Sequence, residues 1–387
     1  MREGYTLWQI AAMRILVALL MIVASTVAAH ADAPAHDFID DARALLVVGA
    51  CAEGKAPETV KADVVEAHCK KVRKVQDDYK TSWVTPASEW MATNVPKTVS
   101  KTVVYPFAGG DLSTALTVYP DADEITTLSL EPAGDPRALG KLNDKQLKAA
   151  LKVVETELGS LYKSNFSVTM NMIGAMRGGQ LPTQLIFSLS ALAIHGYEPV
   201  SVKYFKLDKD GAIHYLTDDD LAAIDKIKNV GKHNQELANV ELVFQKKGGK
   251  KQQTYRHIMA NLDDNHLKKD PSALAHLEKK GHVAGMTKAA SYLLSFTGFD
   301  TIRKYIIDHV DWMISDTTGL PPKYGTPAGF EYEVWGVWGT PNMKAAYGIQ
   351  GDWKALFKQQ TKRELKFRFG YPDMKLNGHI VIMKRKS

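Results

Sequence analysis

The sequence predicts an α/β protein built on a mixed sheet with helices on both faces, antiparallel hairpin additions and an N-terminal helical hairpin. Three observations carry this expectation. Residues 103–132 run strand, glycine turn, helix, strand within the length of one βαβ unit. Helical and strand periodicities alternate through the following residues. Two pairs of β-rich segments are each joined by a glycine-containing turn, which is the pattern of a hairpin.

The chain opens with Arg14 followed by an uncharged run from Ile15 to Ala29, and Ala29-His30-Ala31 supplies the small residues of a cleavage site. That pattern is a secretory signal peptide over residues 1–31, with Asp32 as the expected first residue of the exported chain. The run is shorter than the roughly 20 residues a spanning helix needs, and no basic stop-transfer flank follows it. Export to the periplasm or the medium is therefore expected. With no second run of 18 apolar residues, no transmembrane segment should remain after cleavage. The formal charge of +6, from 49 basic and 43 acidic residues, is that of an ordinary solvated exterior. Residues 32–98 are expected to form a helical lead-in and residues 99–387 an α/β domain with hairpin insertions.

In the lead-in, Phe38, Ala42, Leu45 and Leu46 recur at helical spacing, as do Val60, Val64, Ala67 and Val72 in a second helix expected over 57–79. Cys51 and Cys69, the two cysteines, lie 18 positions apart at the ends of this hairpin. In an oxidising compartment they predict one disulfide, and their spacing fits neither a Cys-x-x-Cys redox pair nor a zinc knuckle. Trp83 and Trp90 are expected to pack inside.

Val103–Tyr105 then has the character of a strand, Gly109 and Gly110 permit a turn, and Asp111 is placed to cap a helix from Leu112. Ile125–Leu130 makes the next strand, closed by Glu131-Pro132. A helix over 143–162 is marked by an Asn143/Gln146 capping box and by Leu147, Leu151, Val154, Leu158 and Leu161 on one face. Gly174–Gly179 breaks the pattern before a buried helix at 184–195. Hairpins are expected from 200–207 with 212–217, and from 240–245 with 253–259. The Asp208–Gly211 turn lacks the spacing of a calcium loop. The lysines around Gly248 have no interleaved aromatics, so no nucleic-acid partner is expected. Helices at 271–280 and 300–309 flank a buried strand expected at 289–296. Residues 311–322 read as strand and turn, and the tail is aromatic and glycine-punctuated over 332–338 and 365–371, with a last strand at 379–383.

The central unit is Rossmann-like, and in such sheets the first strand-to-helix turn lies at the carboxyl edge, where ligands are held. The candidate ligand-binding residues are accordingly Phe107, Gly109, Gly110 and Asp111 in the turn, with Glu131 and Asp316 at neighbouring strand ends. The stretch Tyr105-Pro-Phe-Ala-Gly-Gly-Asp111 resembles the first motif of methyltransferases that use S-adenosylmethionine, including the Pro-Phe-x-Gly form of some nucleic-acid methylases. Leu320-Pro-Pro-Lys-Tyr324 is similar to their Asn-Pro-Pro-Tyr motif but has Leu320 for the Asn and Lys323 inserted, so no catalytic role carries over. Export also argues against an intracellular cofactor, and no cofactor is assigned. Tyr105–Asp111, Leu130–Pro132, Lys288-Ala-Ala-Ser-Tyr-Leu-Leu294, Ile302-Arg303 and Asp316-Thr-Thr-Gly-Leu-Pro321 together resemble a group of exported bacterial proteins with no assigned reaction. That resemblance implies kinship and export only.

Nucleophile-elbow, zincin and Walker patterns do not occur in the sequence. His257, Asp263, Asp264 and His266 come nearest to a metal cluster, at a spacing that matches no known site, and no metal is assigned. Arg177 and Arg303 are candidate anion contacts. Two functional readings follow: a protein that binds a small polar or anionic ligand at the Phe107–Asp111 loop, or a structural or interaction protein of the envelope using Trp312, Trp335, Trp338 and Trp353. An enzyme derived from a methyltransferase-like fold is a further alternative.

Overall fold

The computed structural model describes residues 33–165, 180–338, 350–371 and 378–386. The expected leader and the Gly174–Gly179 break with Arg177 lie outside them. Residues His36–Ser387 form one compact unit.

Ten strands form one sheet: β1 (Thr102–Tyr105), β2 (Glu124–Ser129), β3 (Tyr197–Leu207), β4 (Ile213–Tyr215), β5 (Asn239–Lys246), β6 (Gln252–Met259), β7 (Val283–Thr287), β8 (Val310–Ser315), β9 (Phe330–Gly336) and β10 (His379–Arg385). Their order is β4-β3-β5-β6-β2-β1-β7-β8-β10-β9. The five central strands, β6-β2-β1-β7-β8, are parallel. Both flanks are antiparallel: β5, β3 and β4 continue from β6, and β10 lies between β8 and β9.

The helices are α1 (Ile39–Val48), α2 (Ala62–Tyr79), α3 (Thr85–Asn94), α4 (Leu112–Val118), α5 (Asp144–Ser164), α6 (Thr183–Ile194), α7 (Asp218–Ile224), α8 (Val230–Glu236), α9 (Asp264–Lys269), α10 (Ser272–Glu278), α11 (Asp300–His309), α12 (Pro322–Gly325) and α13 (Gln350–Gln359). Alternating side chains of β1 show why both faces must be covered. Val103 and Tyr105 join a core with Leu45, Leu112, Leu158 and Phe187, contributed by α1, α4, α5 and α6. Val104 joins the opposite core with Leu277, Ile302 and Ile306 of α10 and α11. This is the Rossmann-like α/β architecture that the sequence predicts. The lead-in helices share the first of these cores with the sheet.

Cys51 and Cys69 are bonded, with Cα atoms 5.2 Å apart. The bridge ties the chain just beyond α1 to the middle of α2. Closing a loop of this length restricts the unfolded chain, and its reduction in metal-free buffer is expected to cost about 3 kcal/mol. Urea titration should show a lower midpoint; an unchanged midpoint would mean that the staple contributes nothing.

The strand expected at 289–296 is not there. The strand is β7, which starts six residues before Ala289 and is buried throughout. Gly285, which disguises it, is needed because a Cβ there would lie 2.9 Å from Val310 Cγ1. Residues 289–296 are an irregular segment in which Ala289, Ser291 and Tyr292 all have positive φ. No strand accommodates such angles. The Ala289 and Ala290 N–H groups donate to the side chains of Asp316 and Thr318 instead of to a neighbouring strand.

Candidate functional site

At the carboxyl ends of β1, β2, β6 and β7 the structure holds a cavity of about 350 Å³. Its position follows from topology. The chain leaves β1 through α4 on one face and reaches β2; it leaves β7 through α11 on the other face and reaches β8. Adjacent loops that diverge to opposite faces leave a crevice between them, the topological switch point at which open α/β sheets bind ligands.

One wall is the glycine turn. Gly109 has φ +56°, and a Cβ on Gly110 would lie 2.2 Å from the Phe187 ring of α6, so the turn packs against that helix as only glycine allows. Phe107 also has positive φ, at +59°, and its ring meets Phe299 edge to face with centroids 5.9 Å apart. The facing wall is the irregular segment after β7. Four non-glycine residues with φ between +51° and +59° thus belong to the two loops that flank the cavity. Each such residue costs on the order of 1 kcal/mol or more, and conformations of this kind persist where the surroundings over-determine them.

A buried polar network forms the floor. Lys288 Nζ lies 2.6 Å from Asp111 Oδ2, 2.6 Å from Thr114 Oγ1 and 3.1 Å from Asn165 Oδ1, so all three of its protons have acceptors. Trp83 stands beside it, with the ammonium 5.2 Å from the ring centroid. Asp111 also accepts from the Tyr105 hydroxyl at 3.1 Å and caps α4 through the Thr114 N–H. Burial pushes the Lys288 ammonium below its usual value, while the Asp111 carboxylate pulls it back up. Burial and the same carboxylate push the Tyr105 phenol well above its own.

Behind the glycine turn, His257 Nε2 donates to the Glu131 carbonyl at 2.7 Å. Its Nδ1 therefore accepts, taking the Gln184 amide at 3.2 Å, and that amide also donates to the Gly109 carbonyl at 3.2 Å. Burial holds His257 down at about 4.

Of the residues expected from the sequence, Phe107, Gly109 and Asp111 line the cavity; among the described residues that line it, Gly110, Glu131 and Asp316 do not appear. Glu131 is wholly buried beyond the end of β2, and Ser129 and Leu130 take the lining position there. Asp316 organises loops. Its Oδ2 accepts the Ala289 N–H at 3.0 Å and the Tyr371 N–H at 3.3 Å, and its Oδ1 accepts the Thr318 N–H at 2.9 Å and the Thr318 hydroxyl.

No family model, curated protein or solved structure matches this chain. The site therefore has to be read from its own chemistry.

The His257, Asp263, Asp264 and His266 set does not assemble: His257 is in the network above, Asp263 binds His266 at 2.7 Å, and Asp264 accepts the Thr301 N–H at 2.8 Å. Arg303 is spent on the carbonyls of Leu294 and Phe296 and stacks on Tyr324. Of the tryptophans weighed for an interaction surface, Trp312 and Trp353 are buried and Trp335 and Trp338 are half-buried. Sequence reasoning missed Lys288, Ser129 and Asn261. For Lys288 a signal existed: a lone lysine directly after an apolar run, where a strand meets a loop.

Proposed function

We propose that this protein binds a small, uncharged ligand with a flat apolar body and a polar edge, in the crevice at the Phe107–Asp111 turn. The observation that carries this reading is the charge balance of the cavity. Its lining contains one cation, Lys288, and one anion, Asp111, and they neutralise each other at 2.6 Å. An anionic ligand would find no unpaired positive charge among the described lining residues. What remains is aromatic and aliphatic: Phe107, Phe299, Leu262 and Leu293, with Ser129, Asn261 and Ser291 placed to meet polar atoms. The leader and the disulfide support a place of action outside the cytoplasm, in the periplasm or the medium.

Ligand-observed NMR against a library of neutral heteroaromatic fragments tests the reading, with Ala260→Trp as the variant that fills the cavity. Hits are expected with the wild type and their affinity should fall at least about tenfold in the variant. Equal binding by both proteins, or hits confined to anions, would count against it. The second reading, an enzyme derived from a methyltransferase-like fold, is favoured by the cavity lying against the stretch that carries that resemblance. Calorimetric titration with S-adenosylmethionine separates the two, because that molecule is charged and the first reading expects no heat of binding.

A further inference from the structure

We propose that Cys51, Cys69 and His68 form a redox-gated site for a thiophilic metal ion, closed while the cysteines are bridged and opened when the bridge is reduced. The site is independent of the ligand cavity. The two sulfurs and one ring nitrogen of His68 all lie within 4.8 Å of one another. All three residues are at most 5% exposed. Two thiolates and an imidazole are the donor set taken by soft and borderline ions such as Zn²⁺ and Cu⁺.

Three further observations point to an ion. The His68 Nε2–H donates to the Gly49 carbonyl at 3.1 Å, which leaves the lone pair on Nδ1, and Nδ1 has no hydrogen-bond partner among the described residues. A histidine oriented through one nitrogen by a backbone carbonyl, with the other free, is how metal-ligating imidazoles are held. Second, the sulfurs face carbonyls at the end of α1: Cys69 Sγ is 3.7 Å from Val47 O and 4.0 Å from Val48 O, and Cys51 Sγ is 3.9 Å from Gly49 O. The carboxyl end of a helix is partially negative and favours a cation, whereas a disulfide has no proton to offer those oxygens. Third, two cavities approach the buried group from different sides. A cavity of about 300 Å³ reaches Cys51 beside Arg73 and Lys80, and one of about 480 Å³ reaches His68 beside Lys71.

The chemistry balances with a small thiol as reductant. Its thiolate attacks one sulfur, expelling the other cysteine as thiolate and forming a mixed disulfide. A second thiol then leaves with the first as their disulfide, so that two electrons pass to the protein. On binding, the ion displaces the two thiol protons to solvent and takes the imidazole lone pair without moving the His68 proton.

Native mass spectrometry of the purified protein, oxidised or reduced with a phosphine under anaerobic conditions and given Zn²⁺ or Cu⁺ alone, tests the site. One ion per chain, with loss of two protons, is expected in the reduced protein and none in the oxidised one. The two arms identify the ion. His68→Gln should weaken uptake at least about tenfold in a chelator competition, and the Cys51→Ser/Cys69→Ser protein should take up none. Circular dichroism follows the fold in each sample. The proposal is overturned by absence of uptake after reduction, by equal uptake in the oxidised protein, by unchanged affinity in His68→Gln, or by unfolding on reduction that neither ion reverses.

Discussion

Lys288→Met is expected to destabilise the protein by about 3–5 kcal/mol, because it leaves the Asp111 carboxylate buried without its cation. Both side chains are at most 5% exposed, so the pair is largely withdrawn from bulk water. The Thr114 hydroxyl and the Asn165 amide lose a donor in the same step. Removing both charges, as in Lys288→Met with Asp111→Asn, should recover part of the loss, since an unpaired buried charge costs more than a neutral pair. Urea denaturation of the four proteins forms a double-mutant cycle. A loss below about 1 kcal/mol for Lys288→Met would mean that the pair is not held as a desolvated ion pair.

Acid should weaken the fold through His257. His257 titrates at about 4 in the folded protein, against an ordinary value of 6.5. Between those values the unfolded chain binds a proton that the folded chain refuses. Stability therefore falls as pH falls through this window, by about 1.4 kcal/mol per pH unit and about 3 kcal/mol in all from this residue. In His257→Gln, the amide is able to donate to the Glu131 carbonyl and accept from Gln184 without titrating. The variant should lose correspondingly less stability between pH 6.5 and 4, whatever its stability at neutral pH. Parallel stability curves for the two proteins would show that His257 is not the proton acceptor.

Much of this fold was legible where local chemistry and tertiary placement agree. The stretch from Val103 to Glu131 supplies its own turn glycines and its own cap, and forms β1, α4 and β2 as expected, with Asp111 capping α4. The Asn143/Gln146 capping box starts α5, and both hairpins pair antiparallel. Reading failed at β7, where the residue that breaks the β pattern, Gly285, is dictated by the neighbouring strand β8. Such a cause is not local and leaves no trace in the window around it. The candidate site was legible in its location and less so in its chemistry. Strand-end acids are visible in a sequence, but whether a carboxylate faces a cavity depends on how the loops beyond it fold. Asp111 lines the cavity, whereas Asp316 turns its oxygens to backbone amides. Lys288 was hidden because the strand before it was misplaced.

The Asp316 carboxylate also bears on how anything gets in or out of the crevice. It accepts hydrogen bonds from the segment after β7, from the turn after β8 and from the Tyr371 N–H, and a Cβ on Gly370 would lie 2.1 Å from one of its oxygens. Segments far apart in the chain are thereby fastened at one point. Freeing any one of them strips the buried Asp316 carboxylate of a hydrogen-bond donor, so its three partners are tied to one another through a single side chain.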